Sequence, residues 1–436
     1  MSKNQATASD SVFSGGFGRL WGAAMASNLA DGIARLAIPL AAVALTKDPV
    51  AIAFLAALMY VPWLLFSVPS GIIVDRLDRR MAMALANAAR LAAAIGVALF
   101  IATDSVTIAV LAIATVVFGL GETLFDNATT AITPSLVRKG GLDKANGLIQ
   151  AAQVGVDMFV ATPISGVLYS LAVILPMLVG GAGYLVAALL VLALPVAAAH
   201  ARHENGERVA PVPLKEAVGF VWHHRYLRSL VVFTTLIGTA YAFAQAVSAL
   251  LFLDRFDVSP AMFGVVTAGV GVGAVVGSLF AGTVVKKIGR GQTMLWSTVL
   301  GGVGLFGVGL APNTWTAVVA YGASACGVSM WNVPWGSLRQ AIIPGHMLGR
   351  SIGAIRTFAW FFMPLAILAG GFVAKIDLQL PYLIGGGLSV VLALGAARLL
   401  LQADTHYPVD TSHVGAELSE QLAEAVAEGV QPASPA

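Results

Sequence analysis

Asp31 and Arg35 stand one helical turn apart in NLADGIARLAIP, inside a run that is otherwise largely apolar. An acid and a base at this spacing share one helix face. Two chemistries are open to them. The pair can neutralise itself as a structural ion pair, or Asp31 can exchange a proton with water while Arg35 tunes its acidity. Glu122 and Asp126 repeat the spacing with two carboxylates. Two such groups do not both ionise in a dry site, so one of them can hold a proton. Asp126 can equally pair with Arg76, Arg79 or Arg138. Asp157, in VGVDMFVATPISG, is a lone acid in apolar surroundings. A charge at mid-membrane costs about 2.5–3.5 kcal/mol by insertion scales, so each of these groups needs a reason to be there. Other chemistries lack their residues: there is no G-x-x-x-x-G-K-[ST] loop, no metal-ligand spacing and no nucleophile elbow. No histidine falls inside an apolar span, which leaves carboxylates to carry protons.

Groups of this kind must be held by helices that cross a bilayer, and the composition predicts such helices. Of 436 residues, 58% are hydrophobic and only 11% charged, against about a quarter charged in soluble domains. Apolar runs of roughly 20 residues recur, each long enough for about 30 Å of hydrocarbon. The ten-residue alternation of a membrane barrel is absent. The fold class expected is therefore an all-α membrane protein with twelve transmembrane helices. They run over about 18–46, 50–74, 81–103, 105–127, 145–169, 172–199, 228–253, 259–285, 292–311, 314–338, 351–374 and 379–401. With residue 1 inside, only Lys47, Arg255 and Lys375 of the 25 basic residues fall outside. Arg35, Arg90 and Arg356 lie within spans, and all the others fall on the inner side. That asymmetry places both termini in the cytoplasm of a multi-pass cell-membrane protein.

The chain divides near its middle. Residues 1–17 read as an N-terminal tail, 18–199 as a six-helix bundle and 200–227 as a polar linker with a short amphipathic helix from Pro213. Residues 228–402 read as a second six-helix bundle and 403–436 as an acidic, disordered tail. GIIVDRLDRR, from Gly71, is echoed by GTVVKKIGRG, from Gly282. LDKANG, from Leu142, is echoed by LGRSIG, from Leu348, and Pro163 and Pro364 fall at matching depths. Three matches in one order predict two six-helix pseudo-repeats. Glycines in AGVGVGAVVGSLFAG, from Ala268, read as small-residue helix packing rather than a dinucleotide loop.

GIIVDRLDRR resembles the signature loop Gly-x-x-x-Asp-Arg-x-x-Arg-Arg of the major facilitator superfamily, with Gly71, Asp75, Arg76, Arg79 and Arg80 at its positions. NLADGIARLAIPLAAVALT, GETLFDNATTAITPSLV and LRQAIIPGHMLGR resemble the branch of enterobactin-type siderophore exporters and macrolide-efflux proteins. The resemblance implies two bundles around a central cavity. It also implies that the loop latches the halves when the cytoplasmic side is closed; the plainer reading is that its arginines only anchor topology. Asp126, Arg138 and Arg356 join that cytoplasmic gate in this reading. VGVDMFVATPISG is similar to the superfamily's antiporter motif only in part: Pro163 and Gly166 match, while Met158, Thr162 and Val167 stand where glycines are expected. Pro163, Gly166 and Pro364 are expected to bend their helices.

Proton coupling is assigned to Asp31, Arg35, Glu122 and Asp157. Gln153, Tyr241, Gln245, Trp331, Asn332 and Trp360 are candidate substrate contacts, with packing as the alternative for the tryptophans. The function expected is proton-coupled efflux of a hydrophobic or amphipathic small molecule, such as an antibiotic, secondary metabolite or siderophore. An importer or facilitator on the same fold, and a non-transporting receptor or scaffold, are the alternatives. No cofactor is expected beyond the proton gradient. The expected partners are substrate, protons and the lipid bilayer, without nucleic acid, and a monomer suffices.

Overall fold

Side-chain caps and prolines decide where these apolar runs start and break. The computed structural model describes residues 16–137, 142–195, 214–344 and 347–406, and these are helical throughout apart from short connections. In the first half, α1 is Phe17–Leu45, α2 Pro49–Leu58, α3 Val61–Arg76, α4 Arg79–Ala102, α5 Ile108–Leu136, α6 Leu142–Gly155, α7 Thr162–Leu171 and α8 Leu175–Leu192. The linker contributes α9, Leu214–His223, which is the short helix expected after Pro213. The second half holds α10 Arg225–Ala244, α11 Ser248–Leu250, α12 Pro260–Ile288, α13 Arg290–Leu310, α14 Thr314–Ile342, α15 Leu348–Phe361, α16 Met363–Ala374, α17 Leu380–Gly395 and α18 Ala397–His406. Asp48, Thr107, Ser259 and Asn313 each accept a backbone amide at the head of the helix that follows, the role these residue types serve at N-caps.

Each expected span coincides with one helix or a broken pair. Among the described residues nine helices are long and apolar enough to cross a membrane, or ten if the bent pair α17–α18 is one span. Spans five and ten fall short. Span five is interrupted by a π-helical turn, Val156–Ala161, just before Pro163; a proline has no amide to close the α-helical ladder, and the register widens around it. Span ten, α14, is long but carries Thr, Ser, Asn and Trp along its length. Span two breaks at Tyr60 ahead of Pro62, and span eleven at Phe362 ahead of Pro364.

The fourth span departs from expectation more usefully. Instead of stopping near residue 127, α5 runs on to Leu136. Along this polar stretch the hydroxyls of Thr130 and Thr133 satisfy themselves on carbonyls one turn back, and Asn127 donates to the Ser67 carbonyl of α3, so none of the three needs water. Glu122 and Asp126 therefore lie well inside the helix rather than near its end.

Among the described residues the halves pack most extensively at one end. At the end away from the basic loops, α2 packs along α16 and α7 along α12, and one apolar core runs through both halves. Towards the basic end the halves keep separate cores. Lys47 bonds Asp254 at 2.7 Å and Lys375 bonds Asp48 at 3.4 Å, so two ion pairs cross between the halves at the joined end. The α7–α12 seam is backbone on backbone. A Cβ on Gly264 would sit 2.6 Å from the Thr162 carbonyl, and one on Gly166 at 2.6 Å from that of Pro260. Gly166, expected as a bend, is thus a contact point within a regular helix. Gly273 and Gly277 pack on the backbone of Gly322 and Cys326, the small-residue packing read from the sequence. We expect Gly264→Val to part the seam, at about 1–3 kcal/mol for an overpacked contact. A lower melting temperature and longer spin-label distances between α7 and α12 are the readouts.

Candidate functional site

The largest fully buried side chain among the described residues is Arg90, a residue the sequence places in a span without assigning it a role. It donates to both carboxylate oxygens of Asp31, at 2.8 and 2.7 Å, and to Asn87 Oδ1 at 2.7 Å. Tyr184 on α8 donates to Asp31 Oδ1 at 2.8 Å. The guanidinium carbon lies 4.7 Å from the Tyr184 ring centre and 5.3 Å from that of Phe125. Gly121 on α5 makes room for it: a Cβ there would sit 2.7 Å from Arg90 Cγ. Asp31 is therefore not paired with Arg35, as the spacing suggests. Its side chain turns towards α4 and α8.

Arg35 turns instead towards α5 and bonds Glu122 at 3.0 Å. This second pair is far more open, with 40% and 20% of the two side chains exposed, against none of Arg90 and 8% of Asp31. A recess of about 420 Å³, including its open mouth, runs between them, lined by Asp31, Arg35, Met59, Phe118, Glu122 and Tyr184. One turn along α5, Asp126 accepts from Gln153 on α6 at 3.4 Å. Asp126 thus belongs with Glu122 and Gln153, not with the loop arginines. Asp157 falls on the π-helical turn, and its side chain lies outside the described residues.

Arg356 is also displaced from its expected place. Its guanidinium carbon lies 4.2 Å from the Trp360 ring centre and 5.1 Å from that of Trp63. Trp63 is in the first turn of α3, about 18 Å along that span from Asp75 at 1.5 Å per residue. Arg356 is therefore deep in the interface between halves, not at the gate. Trp63 and Tyr60, which the sequence does not single out, stand edge-on to Trp360 at 5.9 and 6.0 Å.

The remaining substrate candidates divide. Gln245 is exposed and accepts from Tyr321 at 2.6 Å. Asn332 is exposed on α14. Tyr241 is buried with its hydroxyl turned into the α10–α13–α14 contact, beside Gly301 and Ser324. Trp331 is buried against Phe233 and Trp335. Both of these pack within the second half.

At the basic loop the contacts stay within the first half. Arg79 donates to the Ala131 carbonyl and Arg80 to that of Leu194, each at 2.9 Å. Arg76 is exposed, and among the described residues nothing lies within 4 Å of where a Gly71 Cβ would be, so no described helix approaches it in this open form. The side chain of Asp75, and all of Arg138, lie outside the described residues. Asp78, missed by the sequence reading, caps α4 through the Arg80 and Met81 amides. Partial burial pushes its carboxyl up, but the Arg80 guanidinium and those two amides outweigh this and hold it below the usual carboxylate value. The cap is thus at full strength above that usual value and weakens as pH falls through the lowered one. In the second half Asp404 of α18 does this work, accepting the Arg290 and Gly291 amides at 2.6 and 3.0 Å. They follow Gly289, whose φ of 88° turns the chain between α12 and α13.

The profile of a family described as transmembrane secretion effector matches residues 9–426. Over 395 residues the chain is 24% identical to macrolide efflux protein A of Streptococcus pyogenes, covering 87% of this chain and 94% of that protein. It is 27% identical over 398 residues to the multidrug efflux pump Tap of Mycolicibacterium fortuitum, covering 85% and 94%. Among solved structures, the nucleoside transporter NupG superposes with a TM-score of 0.69 at 14% identity, over 89% of this chain and 99% of that one.

Proposed function

The chain belongs to the transmembrane secretion effector family of major facilitator transporters, and from that premise we propose that it exports a hydrophobic or amphipathic small molecule in exchange for protons. Membership of a transporter family leaves no place for the scaffold reading. The observation that carries the proposal is the Arg35–Glu122 pair: an ion pair deep in a span that faces open space. An intramembrane carboxylate in that position marks a functional site, and proton relay is one of the uses such acids serve. Asp31 is a poor carrier by comparison, because a proton on it would strand the Arg90 charge in a dry site.

In the proposed cycle the basic end faces the cytoplasm, with both termini on that side, in keeping with the excess of inner lysines and arginines. Substrate enters there between the separate cores. A proton reaching Glu122 from the other side weakens its hold on Arg35, and substrate and proton compete for the same pair of carboxylates, Glu122 and Asp126. The halves rock about the site, closing the basic end and opening the seam of α2, α7, α12 and α16. The sequence relatives named as efflux proteins support the direction of transport.

The test is flux in inverted membrane vesicles. An inside-acid gradient is expected to drive uptake of at least one compound from a panel of hydrophobic antibiotics and siderophores, and a proton ionophore to abolish it. Uptake driven only by the opposite gradient would favour an importer instead.

A further inference from the structure

Arg356 is held in an unusual way for a cation deep between two membrane bundles. Among the described residues no carboxylate lies within ion-pair distance of it, and its contacts are the faces of Trp63 and Trp360. The two rings come from opposite halves, α3 and α15, and stand at 81° to each other. Tyr60 stands edge-on to Trp360 at 6.0 Å and backs that ring. The arginine itself is exposed, so a solute in the open pathway reaches the cleft. Rings arranged around a cation in this way are a recognition site for cations, used for quaternary ammonium ligands among others.

Charge points the same way. The described intramembrane acids of this region are Asp31, Glu122 and Asp126, and the described cations are Arg35, Arg90 and Arg356. Arg35 and Arg90 are committed to Glu122 and Asp31. Arg356 is the third of these cations, held by ring faces and not by a described carboxylate, and it is tethered by a flexible side chain that can swing into solvent. A bound monovalent cation would replace its charge and keep the balance. An apolar cation has less hydration to lose than a guanidinium and gains more ring contact.

We propose that the cleft of Trp63 and Trp360 binds the cationic head of an amphipathic substrate, and that Arg356 is its built-in placeholder, occupying the cleft until substrate displaces it. The idea rests on the export reading and narrows its substrate to lipophilic amines and related cations. Because the cleft spans both halves, its occupant also senses their rocking.

The experiment is equilibrium dialysis of the purified full-length protein with tetraphenylphosphonium, and with triphenylphosphine oxide as an uncharged counterpart. Arg356→Gln is expected to tighten tetraphenylphosphonium binding by roughly 3- to 30-fold, the effect of removing one cation–π competitor. Arg356→Lys should stay near the native value, and the uncharged probe should be unmoved by either change. Trp360→Leu should weaken the cation, with Trp360→Phe restoring part of the loss, which separates the ring face from bulk packing. Unchanged or weaker cation binding in Arg356→Gln overturns the proposal, as does an equal gain by the uncharged probe. Either result with gradient-driven export intact removes the placeholder alone; tightened binding without such export in vesicles removes the export reading alone.

Discussion

Asp31→Asn is expected to cost about 3–5 kcal/mol of stability, the loss typical of breaking one side of a buried ion pair. The change removes the negative charge that both guanidinium bonds of Arg90 address, at 2.8 and 2.7 Å. Arginine cannot answer by releasing its proton, because a guanidinium stays protonated in proteins, and the side chain has no exposed surface through which to rehydrate. Arg90→Met should be milder. The orphaned Asp31 can take up a proton and keep its bond from Tyr184, so the charge need not stay buried. The double change Asp31→Asn, Arg90→Met should recover much of the loss, since a buried pair replaced by apolar or neutral groups of similar size is often close to neutral. Thermal melts of the three variants in one detergent, read with expression level, check the order. If Asp31→Asn melts like the native protein while losing transport, Asp31 is a proton carrier after all and the pair is not an anchor.

How much of this was legible in the sequence depends on what each feature requires. The spans follow from hydropathy alone, so they sit where the apolar runs place them. The break in span five needed the proline and its lost hydrogen bond, and the sequence marks Pro163 without showing the π-helical turn. The charge pairing was misread because a single helix reveals only neighbours along its own face. Asp31 and Arg35 are one turn apart, yet a modest rotation sends one towards α4 and α8 and the other towards α5. A depth count would have helped: Arg90 and Asp31 lie within about 5 Å of the same level when each is counted from the basic end of its helix. The loop is expected to latch the halves in the closed form, and in this open form Arg79 and Arg80 tie their own half together and Asp78 caps α4. The second repeat loses that acid locally and regains it from Asp404, 114 residues further on. No pattern within the loop could announce this. Trp63 and Tyr60 escaped notice because aromatic residues in a span usually mean packing, and only the arginine between the rings says otherwise.

Glu122→Gln should part stability from coupling. The side chains of this pair are 40% and 20% exposed, so losing the ion pair should cost only about 0–1 kcal/mol, as for solvent-screened pairs. Glutamine keeps the shape and still accepts from Arg35, but it can neither release nor take a proton. The variant therefore resembles the protonated carrier at every pH. Gradient-driven accumulation in inverted vesicles should fall to the level seen without a gradient, while exchange of labelled for unlabelled substrate across the membrane should persist. Asp126→Asn, one turn away and bonded to Gln153 rather than to an arginine, should shift the pH dependence of export without abolishing it. Accumulation that survives in Glu122→Gln would move the proton to Asp126 or to Asp157 on the π-helical turn. The double variant Glu122→Gln, Asp126→Asn then decides whether the carrier lies on α5, because a carrier elsewhere, Asp157 or Asp31, would keep pumping with both α5 carboxylates neutral.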